Sequence, residues 1–186
     1  MIPDVTAKDL VALQALKTKG EWGFFHELGH NHQNPDWTFA GTGEVTVNFF
    51  TLYDMEHLCG IPPRKTRMGE ESIRKQVRTW AAKGKPHDEW CREPFLALET
   101  FVRLQQTYGW QAFEKLFAEY RTLAQAERPK NDAEKRDQWA TRFSRITGQN
   151  IAAVFDAWNI PLSAEARQAA ANYPKPTDSR LFELLL

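Results

Sequence analysis

Apolar residues recur along this chain with the spacing of amphipathic α-helices. The clearest stripe follows positions i, i+3, i+4 and i+7 and consists of Phe113, Leu116, Phe117 and Tyr120. Residues at these spacings share one face of a helix, so the stripe predicts a helix that buries one side. Similar stripes fill most of the chain, and glycine, proline and asparagine separate them. The pattern therefore predicts a mainly α-helical fold.

The separating residues divide the chain into successive predicted helices. The longest span about residues 6–19, 22–32, 43–58, 88–108 and 131–148. Pro94 falls within the fourth of these, where it is compatible with a helix only near the start or at a kink. Cys59-Gly60 followed by Pro62-Pro63 marks the strongest break. We therefore expect two portions of one domain, residues 1–60 with the candidate chemistry and residues 61–186 with the remaining helices.

Composition and charge place the chain among ordinary globular domains. It has 186 residues, with 24 basic and 24 acidic side chains, and this balance gives no reason to expect nucleic acid as a partner. No run of 18 apolar residues predicts a membrane span, and the opening MIPDVTAKDL lacks the regions of a signal peptide. Cys59 and Cys91 are compatible with a disulfide or with two free thiols.

One segment carries the residue types of a hydrolytic metal site. Residues 26–30 form an HExxH sequence, and Glu44 follows after thirteen intervening residues. On a helix His26 and His30 stand one turn and about 40° apart, so both imidazoles point one way. A catalytic zinc ion needs three protein ligands and an open position for water. The sequence therefore predicts one zinc ion per chain, held by His26, His30 and Glu44. Glu27 stands beside them as the base that deprotonates the water.

The alternative interpretation is a surface helix whose histidines are spaced by chance, which happens about once in 100 such chains. Three details favour a metal site. Phe24 and Leu28 fall opposite the histidines and predict an apolar back for the helix. Gly29 costs about 1 kcal/mol relative to alanine in mid-helix, which indicates close approach of another element. Asn48 lies four residues after Glu44, where its amide oxygen can accept a hydrogen bond from a liganding histidine.

The surroundings of Glu44 add further expectations. The predicted helix at residues 43–58 is apolar on several sides, as in a helix buried in a core, where a carboxylate needs a partner such as zinc. Asp36 and Trp37 lie in the preceding loop, and such loops often form the rim of a cleft, so both are candidates to contact substrate. His32 points about 200° away from His30 on a regular helix, which favours a surface role. No residue is identified that would stabilise an oxyanion.

The segment around the HExxH sequence resembles the enhancin-like family of zinc metallopeptidases. The resemblance rests on HELGHNHQ at residues 26–33, WTF at 37–39, GEVTVN at 43–48, Phe50 and Leu52-Tyr53, and it continues to NIAAVFDAWNIPLS at 150–163. Members of this family are gluzincins that cleave mucins and other O-glycosylated proteins. The resemblance implies the same ligand set, Glu27 as general base, a protein or glycoprotein substrate, and an extracellular or cell-surface location.

One departure from that family concerns the segment before the HExxH helix. Family members carry there a β-containing half of the catalytic domain whose edge strand aligns the substrate, but only 25 residues precede His26 here. We therefore expect a zincin-like helix pair packed on a C-terminal helical subdomain, in a fragment or a reduced relative.

Two alternatives to a peptidase remain. One is a non-catalytic relative that binds glycoprotein, and the other is a structural zinc domain, which needs a fourth protein ligand. The sequence does not give an oligomeric state.

Overall fold

The computed structural model describes residues 13–183, and this part of the chain consists of helices joined by turns. The helices are α1 (Leu13–Lys19), α2 (Trp22–His30), α3 (Gly43–Cys59), α4 (Glu71–Ala82), α5 (His87–Arg92), α6 (Pro94–Tyr108), α7 (Trp110–Arg121), α8 (Asp132–Thr147), α9 (Ala152–Ala157) and α10 (Ala164–Ala170). Short 3-10 turns occur at Pro63–Lys65, Arg67–Gly69, Gln125–Glu127 and Ser179–Leu181. No β-strand occurs within residues 13–183, so the mainly α prediction is confirmed. The predicted start of the first helix, at residue 6, lies outside the described residues.

Local capping chemistry explains where α8 begins and ends. The side-chain oxygen of Asn131 accepts a hydrogen bond from the Glu134 backbone N–H, which has no partner within the helix. Gly148 ends the helix in the left-handed conformation at φ 66°, which glycine adopts without steric cost. The predicted boundaries of this helix are confirmed.

The single helix predicted at residues 88–108 is wrong. The structure divides it into α5 and α6 at Glu93, whose backbone is extended (φ −105°, ψ 92°). Pro94 is the first residue of α6, where its missing N–H costs no hydrogen bond, whereas in a continuous helix its ring would clash with the preceding turn. The break leaves α5 free to bury Trp90, whose indole N–H donates to Thr100 Oγ1 at 3.0 Å.

One hydrophobic core joins the two predicted portions of the chain. Leu52 of α3 lies in residues 1–60, and it belongs to the same contiguous cluster as Leu98, Phe113 and Trp139 from residues 61–186. All four side chains are almost completely buried. Gly60 ends α3 in the left-handed conformation at φ 68°. The two portions therefore share a core, and a boundary at residue 60 stays a prediction.

The structure decides between the two states that the sequence leaves open for the cysteines. Cys59 and Cys91 are both free thiols. The Cys59 thiol donates a hydrogen bond to the Leu16 backbone oxygen at 3.1 Å, and the Cys91 sulfur lies 3.5 Å from His87 Nε2. Within residues 13–183, every helix is too short or too polar to cross a bilayer.

The close contact of α2 and α3 depends on Gly29. A Cβ atom at this position would lie 3.0 Å from the Val47 backbone oxygen and 3.4 Å from the Cβ of Phe50. Only a residue without a side chain fits there without displacing its neighbours. The two helices therefore approach each other closely, as the mid-helix glycine predicts. The two helices therefore hold their side chains at short range.

The apolar back predicted for α2 at Phe24 and Leu28 is wrong. The buried residues of this helix are Phe25 and Gly29, whereas Leu28 is 39% exposed. Phe25 and Gly29 lie about 100° and 60° around the axis from His26, so α3 covers a side of α2 next to the histidines rather than opposite them. The imidazoles consequently lie at the edge of the helix contact, within reach of α3.

Candidate metal centre

The helix pair brings three candidate ligands together. α2 supplies His26 and His30, whose rings are perpendicular with centroids 5.1 Å apart. α3 supplies Glu44 from its first turn, and its Oε2 atom lies 3.2 Å from His26 Nε2. One donor atom from each of the three side chains lies within 4.8 Å of the other two. Imidazole nitrogens and a carboxylate oxygen at this separation can hold one transition-metal ion between them.

The cluster is open to solvent. The side chain of His26 is 20% exposed and that of Glu44 is 57% exposed. The expectation that Glu44 is buried in the core is therefore wrong, because it lies in the first turn of α3, before the buried side chains that begin with Val45. Water and substrate can approach the three donor atoms from outside.

Asn48 contacts the imidazole of His26. Its Oδ1 atom lies 2.9 Å from His26 Nδ1, and the residue is only 4% exposed. An amide oxygen accepts the Nδ1–H, which leaves the lone pair of the ring on Nε2, the atom that faces Glu44. The contact has the geometry expected from the four-residue spacing between Glu44 and Asn48.

Gln33 has the corresponding contact with His30, and sequence reasoning missed it. Its Oε1 atom lies 3.0 Å from His30 Nδ1, and its Nε2 donates to the Gly43 backbone oxygen at 2.7 Å and to Thr46 Oγ1 at 2.6 Å. The Gly43 carbonyl only accepts, so the amide nitrogen must face it and Oε1 must face His30. His30 Nδ1 is then the donor, and its Nε2 carries the lone pair.

The contacts of Gln33 also connect the two helices. Gly43 and Thr46 belong to the first turn of α3, the turn that carries Glu44, and His30 is the last residue of α2. One side chain in the loop therefore links both parts of the candidate ligand set. The only sequence signal was its place three residues after the second histidine, and spacing alone does not distinguish such a residue from its neighbours in a turn.

Glu27 has an exposed and unengaged carboxylate. It follows His26 on α2 and lies about 100° around the axis from it, and it makes no hydrogen bond or ion pair with residues 13–183. A carboxylate without a partner is free to accept a proton from a water molecule near the histidines. This is the position expected of a general base in an HExxH sequence.

The loop residues predicted to contact substrate are buried. Trp37 is 2% exposed, and its ring packs 4.7 Å from Phe117 and 5.7 Å from Tyr120 between centroids. Asp36 is 7% exposed and lies 3.7 Å from Arg128. These two assignments are corrected: the loop turns both side chains inward, and Trp37 attaches it to α7.

The donor set contains no fourth member within residues 13–183. His26, His30 and Glu44 form the sole cluster of histidine, cysteine or carboxylate groups there with the spacing of a metal site. Catalytic zinc sites use three protein ligands and keep one position open, whereas structural sites are closed by a fourth. The chemistry of the donors fits zinc, and their number fits the catalytic kind of site.

Comparison with known proteins identifies relatives in animals. The chain is 35% identical over 163 residues to TRPM8 channel-associated factor 3 of Mus musculus, covering 86% of this chain and 17% of that protein. It is 32% identical to TRPM8 channel-associated factor 2 of Homo sapiens, covering 91% of this chain and 18% of that protein. The chain therefore spans less than a fifth of the length of these relatives.

A solved structure has the same fold. The crystal structure of a functionally unknown conserved protein from Bacillus anthracis str. Ames superposes with a TM-score of 0.75 at 30% sequence identity. The match covers 90% of this chain and 34% of the bacterial one. The arrangement of helices described above is thus part of a larger protein in that case.

The family comparison covers the part of the chain that contains the candidate site. The pattern of the family described as "Peptidase M60, enhancin and enhancin-like" matches residues 1–159, a span that includes the HExxH helix, Gln33, Glu44 and Asn48. It covers most of the chain and confirms the resemblance seen in the sequence. The chain belongs to the peptidase M60 family of enhancin and enhancin-like proteins.

Proposed function

We propose that the chain carries the metal-binding and catalytic part of a zinc-dependent metallopeptidase. The observation that carries this proposal is the cluster of His26, His30 and Glu44, whose donor atoms lie within 4.8 Å of one another. These three residues would hold the ion. When bound, zinc lowers the pKa of a water ligand to about 7 and polarises the scissile carbonyl.

The chain's own residues supply the remaining steps. Asn48 and Gln33 accept hydrogen bonds from the Nδ1–H groups of His26 and His30. The lone pair of each ring is therefore on Nε2, where it is available to the ion. Glu27 takes the proton of the attacking water and then delivers it to the leaving amine, as a general base that becomes a general acid. The substrate class follows from the family alone: a peptide bond in a mucin or another O-glycosylated protein, met outside the cell or at its surface.

The replacement Glu27→Gln tests this mechanism. It removes the proton acceptor but none of the candidate ligands, so we expect loss of at least 100-fold in cleavage of an O-glycosylated mucin, with about one zinc per chain still bound. Zinc is counted by elemental analysis and cleavage by gel electrophoresis. Glu165→Gln, an exposed glutamate of α10, is the matched control and should cleave normally. Cleavage by Glu27→Gln at the wild-type rate would refute the assignment.

A second candidate function is protein binding without cleavage. It is favoured by the relatives, which are named as channel-associated factors, and the chain spans only 17% to 18% of their length. In that case the wild type binds zinc and retains the glycoprotein but releases no fragments. The cleavage assay above separates the two functions. A peptidase cleaves the mucin as wild type and stops cleaving it as the Glu27→Gln variant, whereas a binding protein cleaves it in neither form.

A structural role for zinc predicts a different response to metal removal. None of the three candidate ligands belongs to the buried core, so we expect chelation to leave the helical circular dichroism signal unchanged. Zinc at 100 times its dissociation constant should add about 2.7 kcal/mol to the free energy of unfolding. Loss of the helical signal on chelation would instead favour a structural site.

A further inference from the structure

A cavity of about 430 Å³ lies between α3 and α7, and none of the candidate metal ligands lines it. Its volume falls in the range of small-molecule sites. Phe49 and Phe113 form its buried floor, at 4% and 2% exposure. Phe50, Tyr53, Trp110 and Phe117 form partly exposed walls. Six aromatic rings around one cavity are more than packing of two helices requires, since the four wall rings remain partly open to solvent.

Two of the wall rings are held in fixed orientations. The Tyr53 hydroxyl donates to Glu114 Oε1 at 3.1 Å, and the Trp110 indole N–H donates to Glu56 Oε2 at 2.6 Å. The two rings stand nearly perpendicular, at 85°, with centroids 5.2 Å apart. Their polar edges are thus engaged with carboxylates. The imidazole of His57 stacks on one face of Tyr53, with centroids 3.9 Å apart, and His57 does not line the cavity. The uncovered face of Tyr53 and the ring of Trp110 are the surfaces that can attract a cation.

Asp54 adds a carboxylate to the lining of the cavity. It makes no hydrogen bond or ion pair within residues 13–183, although it is only partly exposed. Burial raises the pKa of its carboxyl, while the imidazoles of His32 and His57 pull that pKa down. A partly buried carboxylate without a bonded partner is costly, and a cation in the cavity would relieve this cost.

The other charged groups of the lining leave the balance negative. Glu114 is the second carboxylate, and Arg121 is the one arginine or lysine among the lining residues. The Arg121 guanidinium lies 5.9 Å from the centre of the Trp37 ring, so it already has an aromatic partner. His32 contributes an imidazole whose ring lies 5.9 Å from that of Phe50.

We propose that this cavity binds an organic cation with an apolar body, such as a quaternary ammonium group or the side chain of a methylated lysine. The aromatic walls attract the cationic methyl groups, Asp54 and Glu114 supply the opposite charge, and the buried floor accepts the apolar part. The site is separate from the metal centre and needs no zinc.

A pair of isosteric ligands tests the charge requirement. Choline and 3,3-dimethylbutan-1-ol have the same shape, but only choline carries the positive charge. We expect choline to bind the full chain at least tenfold more tightly, measured by calorimetric titration and by upfield shifts of the methyl proton resonances. Equal affinity of the two ligands would overturn the proposal, because the cavity would then be merely apolar. Failure of choline to bind would overturn it as well.

Substitutions locate the bound cation. Asp54→Asn should weaken choline binding at least fivefold and leave the neutral isostere unaffected, whereas Asp88→Asn, on α5, serves as the matched control. Trp110→Leu should weaken both ligands; if this variant fails to fold, Asp54→Asn still decides. Choline binding that is unchanged in Asp54→Asn would contradict the assigned site.

A third ligand distinguishes the sources of the cation. A short peptide with trimethyllysine and free choline share the same head group, so tighter binding of the peptide indicates a protein partner. Tighter binding of choline indicates a free small molecule. Either order supports a cation site, provided that both exceed the neutral isostere.

Discussion

At the scale of single residues, two amide side chains determine which imidazole nitrogens face the candidate metal site. Asn48 contacts Nδ1 of His26 and Gln33 contacts Nδ1 of His30, at 2.9 Å and 3.0 Å. Each contact fixes the tautomer and the orientation of a ring. The candidate site thus depends on residues that are not themselves candidate ligands.

The replacement Gln33→Ala tests this dependence. It frees the ring of His30 and removes the bonds to Gly43 and Thr46 on α3. Loss of such a supporting contact typically weakens metal binding 10- to 100-fold, and we expect a loss in this range. The measurement is zinc affinity by competition with a chromogenic chelator, so it does not depend on activity.

Gln111→Ala is the control for this measurement. Gln111 is an exposed residue of α7, and its replacement should leave zinc affinity unchanged. Unchanged affinity in Gln33→Ala as well would mean that His30 is held by the helix alone.

Spacing within a helix made some of these residues predictable, and turns hid the others. His26, His30 and Asn48 could be placed because helical residues four apart share a face. Gln33 lies in a turn, where position in the sequence does not determine direction. The prediction of Trp37 at a cleft rim fails for the same reason, since nothing in the sequence indicates whether a loop residue points outward or into the core.

At the scale of elements, the site depends on how closely α2 and α3 approach each other. His26 and His30 belong to one helix and Glu44 to the other, so any separation of the helices lengthens the distances between donors. Gly29 permits the short distance, because a Cβ atom at this position would lie only 3.0 Å from the Val47 backbone oxygen. The Val47 oxygen is a backbone atom of α3, so it can move away only if α3 itself moves.

The replacement Gly29→Val tests the approach of the helices. Valine forces additional atoms into a closed contact, and overpacking of this kind costs about 1–3 kcal/mol. We expect a loss of stability in this range by urea denaturation, together with weaker zinc binding. Gly23→Val is the control on the same helix, because Gly23 is exposed and an added Cβ would meet only the end of the Glu21 side chain, a carboxylate that accepts a hydrogen bond from the Phe24 N–H. Equal effects of the two substitutions would show that the contact is not what makes Gly29 necessary.

The sequence predicts most elements here, but not how they pack. Capping residues such as Asn131 and Gly148 act on their immediate neighbours, so both ends of α8 could be read directly. The sequence shows that Pro94 does not fit a regular helix interior, yet its placement at the start of α6 depends on the packing of Trp90. The side of α2 that faces α3 could not be read either, because Phe24, Phe25 and Leu28 are all apolar and only the tertiary contact selects among them.

At the scale of the whole molecule, a buried ionic network joins distant parts of the chain to the core. Glu99 of α6 is 2% exposed and accepts hydrogen bonds from Arg64 at 2.6 Å and 2.9 Å and from Arg103 at 2.9 Å. Arg103 also donates to the backbone oxygens of Arg180 and Glu183. The segment after α3, the central helix α6 and the last described residues therefore meet at one carboxylate.

The replacement Glu99→Gln tests the contribution of that network to stability. It keeps the shape of the side chain but leaves two guanidinium groups without an anionic partner, and removing one member of a buried ion pair costs about 3–5 kcal/mol. Glu119→Gln is a matched control, since Glu119 also contacts two arginines, Arg142 and Arg145, but is 29% exposed. A surface group of this kind contributes about 1 kcal/mol or less.

Guanidinium denaturation followed by circular dichroism should therefore show free energies of unfolding that differ by at least 2 kcal/mol between the two variants. Because one core spans the molecule, we expect a single transition in each. Equal loss in both would mean that burial does not set the strength of the Glu99 network.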